Sequence, residues 1–165
     1  EEREYYKINQ NSIAMGVLVH RSFPNEEANG VVITSNLYSV NHAYTINTQY
    51  QDISIVCPET GVFHDQILVY TMNLDHMDYT IEYLSQSNVP ELNGQPVLSD
   101  EELYLLADHC TLIKHHYFDH VAENTSSGYE SFSVDIEFKI DSTIEERKLY
   151  IKQARIYQTN LDGLK

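Results

Sequence analysis

The last third of the chain, Ser131–Tyr157 (SFSVDIEFKIDSTIEERKLYIKQARIY), constrains the fold more than any other stretch. Its first half alternates strictly. Phe132, Val134, Ile136, Phe138 and Ile140 take one parity, while Ser133, Asp135, Glu137 and Lys139 take the other. Successive strand side chains point to opposite faces, so this is a strand with one side to bury. A charged, turn-rich tip, Asp141–Arg147, separates it from a second extended run, KLYIKQARIY, and together they predict a β-hairpin. Gln153 and Arg155 share a face because they are two residues apart. Antiparallel pairing can then set Glu137 beside an amide and a guanidinium. That trio suits a magnesium–triphosphate: a hard oxygen ligand for Mg²⁺, a hydrogen-bonding amide and a planar fork for phosphate oxygens. On spacing alone the commoner meaning is a cross-strand Glu–Arg pair on a wet sheet face, worth a few tenths to ~1 kcal/mol.

The segments upstream predict the rest of a sheet. Strand candidates are Ala14–Phe23 (AMGVLVHRSF, stopped by Pro24), GVVITSN opened by Gly30, AYTINTQ, ISIV (Ile53–Val56), QILVYTM and YTIEYLSQ. These are roughly six short strands with turn signals between them, which argues for an antiparallel sheet. One helix stands out. Ser99 as N-cap with Glu102 three residues on is a capping box, and Leu98 with Leu103 forms the hydrophobic staple. Leu103, Leu106, Cys110, Ile113 and Tyr117 trace one apolar stripe. The expected fold is therefore α+β: one domain over residues 1–165, an antiparallel sheet with one long covering helix.

Composition narrows the partners. With 25 acidic against 10 basic residues the formal net charge is −15. Affinity for nucleic acid or an anionic membrane surface rests on Lys and Arg, so neither is an expected partner. No apolar run of about 20 residues and no secretory pattern is present, which makes the cytoplasm the default expectation. Cys57 and Cys110 form no CxxC pattern and sit in apolar runs, the ordinary place of a small buried hydrophobe. His116 and His120 are one turn apart and could clamp a transition metal, but there is no HExxH and no evident third ligand. Asp52 could be a second acidic ligand or a solvent-facing residue at a strand start. Arg21 could hold a phosphate or cap the sheet edge.

Three segments together carry a family resemblance. MGVLVHRSFPNEEANGVVIT, YTINTQYQDISIV, and DIEF followed by KQAR resemble the nucleotide-binding domain of pyruvate phosphate dikinase and phosphoenolpyruvate synthase. IKHHY (Ile113–Tyr117) is similar to that family's I-E-K-H-Y. The resemblance covers about Ala14–Ile156, and DIEF and QAR are its most specific pieces. It implies the C-terminal half of an ATP-grasp domain, with ATP and Mg²⁺ as cofactors and transfer of phosphate to a histidine. That histidine would lie on a separate swivelling domain of the same parent chain and would serve a pyruvate-binding domain. Position by position, Glu137 resembles the acidic ligand of Mg–ATP, Gln153 the nucleotide-contacting glutamine and Arg155 the phosphate-stabilising arginine; Arg21 and Asp52 align less firmly. A chain that begins at Glu1 and carries half of such a domain is expected to be a piece of a longer protein.

The departures are specific. Ser35 stands where the family pattern has Arg, Leu37 where it has Pro, Tyr50 or Gln51 where it has Gly, and Ile156 follows QAR in place of Pro. They motivate two rivals: a degenerate, non-catalytic domain for regulation or interaction, and a related dikinase with another acceptor.

Overall fold

A computed structural model describes residues 7, 9, 14, 16, 17, 19, 21–55, 60–71, 80–120, 128–142 and 146–157. Alternation becomes sheet as expected in the hairpin, where β5 (Val134–Ser142) pairs antiparallel with β6 (Arg147–Ile156). Before it come β1 (Glu26–Ile33), β2 (Ala43–Tyr50), β3 (Asp65–Tyr70) and β4 (Thr80–Ser85). The six strands form one sheet in the order β4-β3-β2-β1-β5-β6, with every neighbouring pair antiparallel. The long-range step is β5 pairing with β1 rather than β4, so the hairpin closes the sheet on its N-terminal side.

Helix α1 (Asp100–His120) covers one face. Its capping box is formed in both directions: Ser99 N–H donates to Glu102 Oε2 at 2.9 Å, and Glu102 N–H donates to Ser99 Oγ at 3.2 Å. Leu103, Leu106, Ala107 and Cys110 are buried against Val134, Ile136, Phe138 and Ile140 of β5 and against Val32, Ile46, Ile67 and Val69. Burial pushes the Cys110 thiol far above its usual range, so it is a packing residue and no nucleophile. Cys57 lies outside the described residues.

Two expected strands need correction. Within Ala14–Phe23, no described residue is in a strand, and Val17 and Val19 are exposed. Strand propensity is realised only where a partner strand and a face to bury exist: both sides of β1 are taken by β2 and β5, and the described residues of this stretch pair with neither edge strand, β4 or β6. Ile53–Ile55 is also not a strand, and Val56 lies outside the described residues. There the Asn29 side-chain amide donates to the carbonyls of Gln51 (2.7 Å) and Ile53 (2.9 Å), which pins a turn. Gln51 sits at φ 50°, the left-handed region, at a cost on the order of 1 kcal/mol for a residue with a Cβ. Four strands, not about six, therefore precede the helix among the described residues.

Gly30 lies inside β1, not at its start, because the close approach of Phe138 requires it. A Cβ there would meet Phe138 Cε1 and Cζ at 2.5 Å and the Asn47 carbonyl oxygen at 2.6 Å. The ring could turn aside, but the Asn47 backbone is fixed in the sheet. Gly30→Ala is therefore expected to destabilise by about 1–3 kcal/mol, read as a lower urea midpoint at unchanged slope; an unchanged midpoint would show that the sheet yields at no cost.

Candidate functional site

The register of the hairpin decides which polar side chains meet. Glu137 pairs with Gln153, and Asp135 pairs with Arg155, so all four stand on one face. That face is the one opposite α1, since Ile136 and Phe138 between them are buried on the helix side. The expected convergence of Glu137, Gln153 and Arg155 on one side of neighbouring antiparallel strands is present. A β-bulge falls beside it: Gln153 opposes Glu137 while Ile151 opposes Phe138, leaving Lys152 as the extra residue. Bulges re-aim side chains, and here the Lys152 ammonium comes to 3.9 Å from Glu137 Oε2.

Arg155 is held by Asp135. Its Nη2 lies 2.7 Å and its Nε 2.8 Å from Asp135 Oδ2. The hydrogen bond to Asp135, then the charge of Asp135 and of Glu137, hold the guanidinium pKa above its ordinary value. The Arg155 side chain is 62 % exposed and that of Glu137 37 %, whereas Asp135 is 14 % exposed. Two carboxylates about 7 Å apart along one strand thus face outward beside two cations and an amide. Asp135 was not singled out from sequence, although it is the outward-facing neighbour of Glu137 in the alternation. The floor beyond β5 is supplied by β1 and β2, where Ile33 lies opposite Asp135 and Val31 opposite Glu137, followed by Thr45 and Asn47.

Two other candidates fall elsewhere. Arg21 Nη2 bonds Asp141 Oδ2 at 2.7 Å, Nη1 donates to Tyr150 OH at 3.0 Å, and the guanidinium lies 4.6 Å from the Tyr150 ring centroid. Asp141 is four residues from Glu137 toward the hairpin tip, about 13 Å along the strand. Arg21 therefore fastens the N-terminal segment to the hairpin, together with Asn25 N–H donating to Asp141 Oδ1. Asp52 is exposed in the turn after β2. Strand β2 reaches the level of Glu137 at Asn47, so Asp52 is past the strand end and about 10 Å to the side. It does not join Glu137 as a metal ligand.

On the helix, the His116 and His120 rings are 4.7 Å apart, and His115 stacks on Tyr129. Among the described residues no group of three or more His, Cys, Asp or Glu gathers in a way that could hold a metal on its own. Mg²⁺ bound with a nucleotide needs only one or two carboxylates, because water and phosphate oxygens complete its octahedron. Asp135 and Glu137 fit that requirement; Asp52 does not. Among the described residues no helix is long and apolar enough to cross a membrane. No family model, curated protein or solved structure matches the chain.

Proposed function

We propose that the outer face of the β5–β6 hairpin is the Mg–ATP-contacting surface of an ATP-grasp-like phosphotransferase, resembling pyruvate phosphate dikinase and phosphoenolpyruvate synthase. The observation that carries this reading is the register, which sets Glu137 against Gln153 and Asp135 against Arg155 on one open face. Glu137, with Asp135 two residues before it, would hold the metal. Gln153 would hydrogen-bond the nucleotide, and Arg155 would bind phosphate oxygens as a fixed cation. Mg²⁺ would supply neutralisation of the charge that develops on the transferring phosphoryl group. Before binding, Arg155 is held on Asp135, so the pair has to exchange partners: the guanidinium moves to phosphate and the carboxylate to metal. The Lys152–Glu137 contact at 3.9 Å is loose enough to part in the same step.

The departures from the family pattern are compatible with this site. Gln51 keeps the left-handed backbone that a glycine would adopt freely, and Ser35 and Leu37 belong to the β1–β2 connection, not to the hairpin face. On this reading the acceptor histidine, the pyruvate site and the opposing half of the cleft are supplied by other domains of the parent chain. This half alone is then expected to bind ATP weakly.

One observation favours a rival. The Asp135–Arg155 ion pair is complete without any ligand, as a purely structural cross-strand pair or a degenerate domain would have it. Thermal shift of the full-length protein separates the two. Mg–ATP is expected to raise its melting temperature, and Glu137→Gln is expected to remove most of that rise. No shift with Glu137, Gln153 and Arg155 intact would overturn the nucleotide reading.

A further inference from the structure

On the opposite side of the molecule, α1 sends a lysine to the end of the sheet where β1 turns toward β2. A cavity of about 340 Å³ opens there, lined among others by Thr34, Ser39, His42, Lys114, Glu130 and Ser131. Lys114 is 6 % exposed. Its Nζ donates to the Thr34 carbonyl at 3.2 Å and lies 4.7 Å from the Tyr129 ring centroid. An ammonium carries three donors, so a carbonyl and a ring face leave at least one unspent. Among the described residues no carboxylate forms an ion pair with it. Glu130, the acid at the rim, is 2.9 Å from His42 Nδ1 instead.

A cation buried without a counter-charge is costly, and burial accordingly depresses the Lys114 pKa, with the charge of Glu130 opposing only in part. Two of the walls are hydrogen-bonded to their neighbours. Thr34 N–H donates to Val134 O at 3.0 Å, and Val134 N–H donates to Thr34 Oγ1 at 2.8 Å, which fixes the carbonyl that holds Lys114. Tyr44 OH is tied to Thr111 Oγ1 of the helix at 2.9 Å. Ser39 adds a hydroxyl that accepts from Asn36 Nδ2 at 2.9 Å and can donate its own proton to an oxygen ligand, whereas the Ser131 hydroxyl donates to the Gly128 carbonyl at 2.9 Å. The volume is at the lower end of the range for small-molecule sites.

We propose that this cavity is a binding site for a small oxyanion, a carboxylate or a phosphate group, with Lys114 as the cation that receives it. The anion would supply the missing counter-charge and accept the unspent ammonium proton. The site does not depend on the nucleotide face, because Lys114 enters from the helix side and Arg155 stands on the opposite face.

Inorganic phosphate and malonate are titrated separately against the full-length protein at constant ionic strength in chloride, following both the melting temperature and the ¹³Cε signal of Lys114. A saturable rise with at least one of them is expected, together with a shift of the Lys114 signal. Phosphate alone, or malonate alone, identifies the source of the oxyanion. Lys114→Met keeps an apolar stem in the buried position and is expected to weaken binding about tenfold or more. Arg155→Ala is expected to leave the anion effect in place. A flat response to both anions, or full binding retained by Lys114→Met, would show a structural lysine only. Should Lys114→Met fail to fold, Ser39→Ala decides: affinity unchanged for both anions overturns the proposal, and weakened affinity supports it.

Discussion

Replacing Arg155 by alanine in the full-length protein is expected to cut ATP-dependent phosphotransfer by about a thousandfold or more, the scale associated with losing a phosphate-stabilising arginine. The loss should fall mainly on kcat, since a cation aimed at the transferring group acts most where charge develops. Folding should barely change. The Arg155 end of the pair is 62 % exposed, so water screens it and the pair contributes little, about 1 kcal/mol at most, even though the Asp135 carboxylate is only 14 % exposed. A rate defect without a stability defect separates the proposed role from a structural one. Arg155→Lys is a useful companion: it keeps the charge but loses the planar fork, so it should recover only part of the rate. Asp135→Asn gives a second arm. If Asp135 only parks the arginine, freeing Arg155 should leave turnover intact or raise it; if Asp135 also meets the metal, turnover falls and its Mg²⁺ dependence shifts to higher concentration. An Arg155→Ala protein with wild-type phosphotransfer would end the nucleotide assignment.

The hairpin could be read from the sequence because β5 obeys period two without exception from Phe132 to Ile140, and strict alternation has one structural meaning. The helix could be read because a capping box and its staple are local chemistry. The same-face placement of Glu137, Gln153 and Arg155 follows from parity plus antiparallel pairing, and needed only the register to be right. What stayed hidden is what depends on partners far away in sequence. The bulge at Lys152 leaves no mark in KLYIKQARIY, because a bulge is decided by both strands together. For Arg21 the sequence leaves phosphate binding and a sheet-edge cap both open, because nothing near it in sequence reveals the Asp141 carboxylate 120 residues on. The burial of Lys114 is hidden because a lysine ordinarily marks a solvent face, although it sits four residues after Cys110, on the buried stripe. The two stretches that form no strand among the described residues, within Ala14–Phe23 and at Ile53–Ile55, have the composition of strands. Composition cannot supply a partner strand, and in the second case it could not foresee the Asn29 amide that captures two carbonyls of the turn.

Asp65→Ala is expected to be the most damaging single substitution for stability, at about 3–5 kcal/mol for two charge-assisted bonds whose donors remain buried. Asp65 is fully buried at the start of β3. Its Oδ1 accepts from Ser87 N–H at 2.6 Å and its Oδ2 from Val97 N–H at 2.7 Å. Both donors belong to the connection from β4 to α1, so one carboxylate pins that whole connection to the sheet. Alanine would leave two buried N–H groups without acceptors, whereas asparagine keeps one acceptor oxygen and should lose roughly half as much. The same connection is held from the other side. Arg147 at the start of β6 donates to the Val97 carbonyl at 3.2 Å, and its Nε lies 2.8 Å from Glu102 Oε1 in the capping box. The helix N-terminus is thus clamped between β3 through Asp65 and β6 through Arg147. Loosening the Asp65 side should therefore raise amide exchange first at Ser87 and Val97, then along the first turn of α1, before the β1–β5 pairing responds. Urea denaturation with residue-resolved hydrogen exchange reads both quantities. A loss below about 1 kcal/mol would mean that water reaches those two amides and that Asp65 is no clamp.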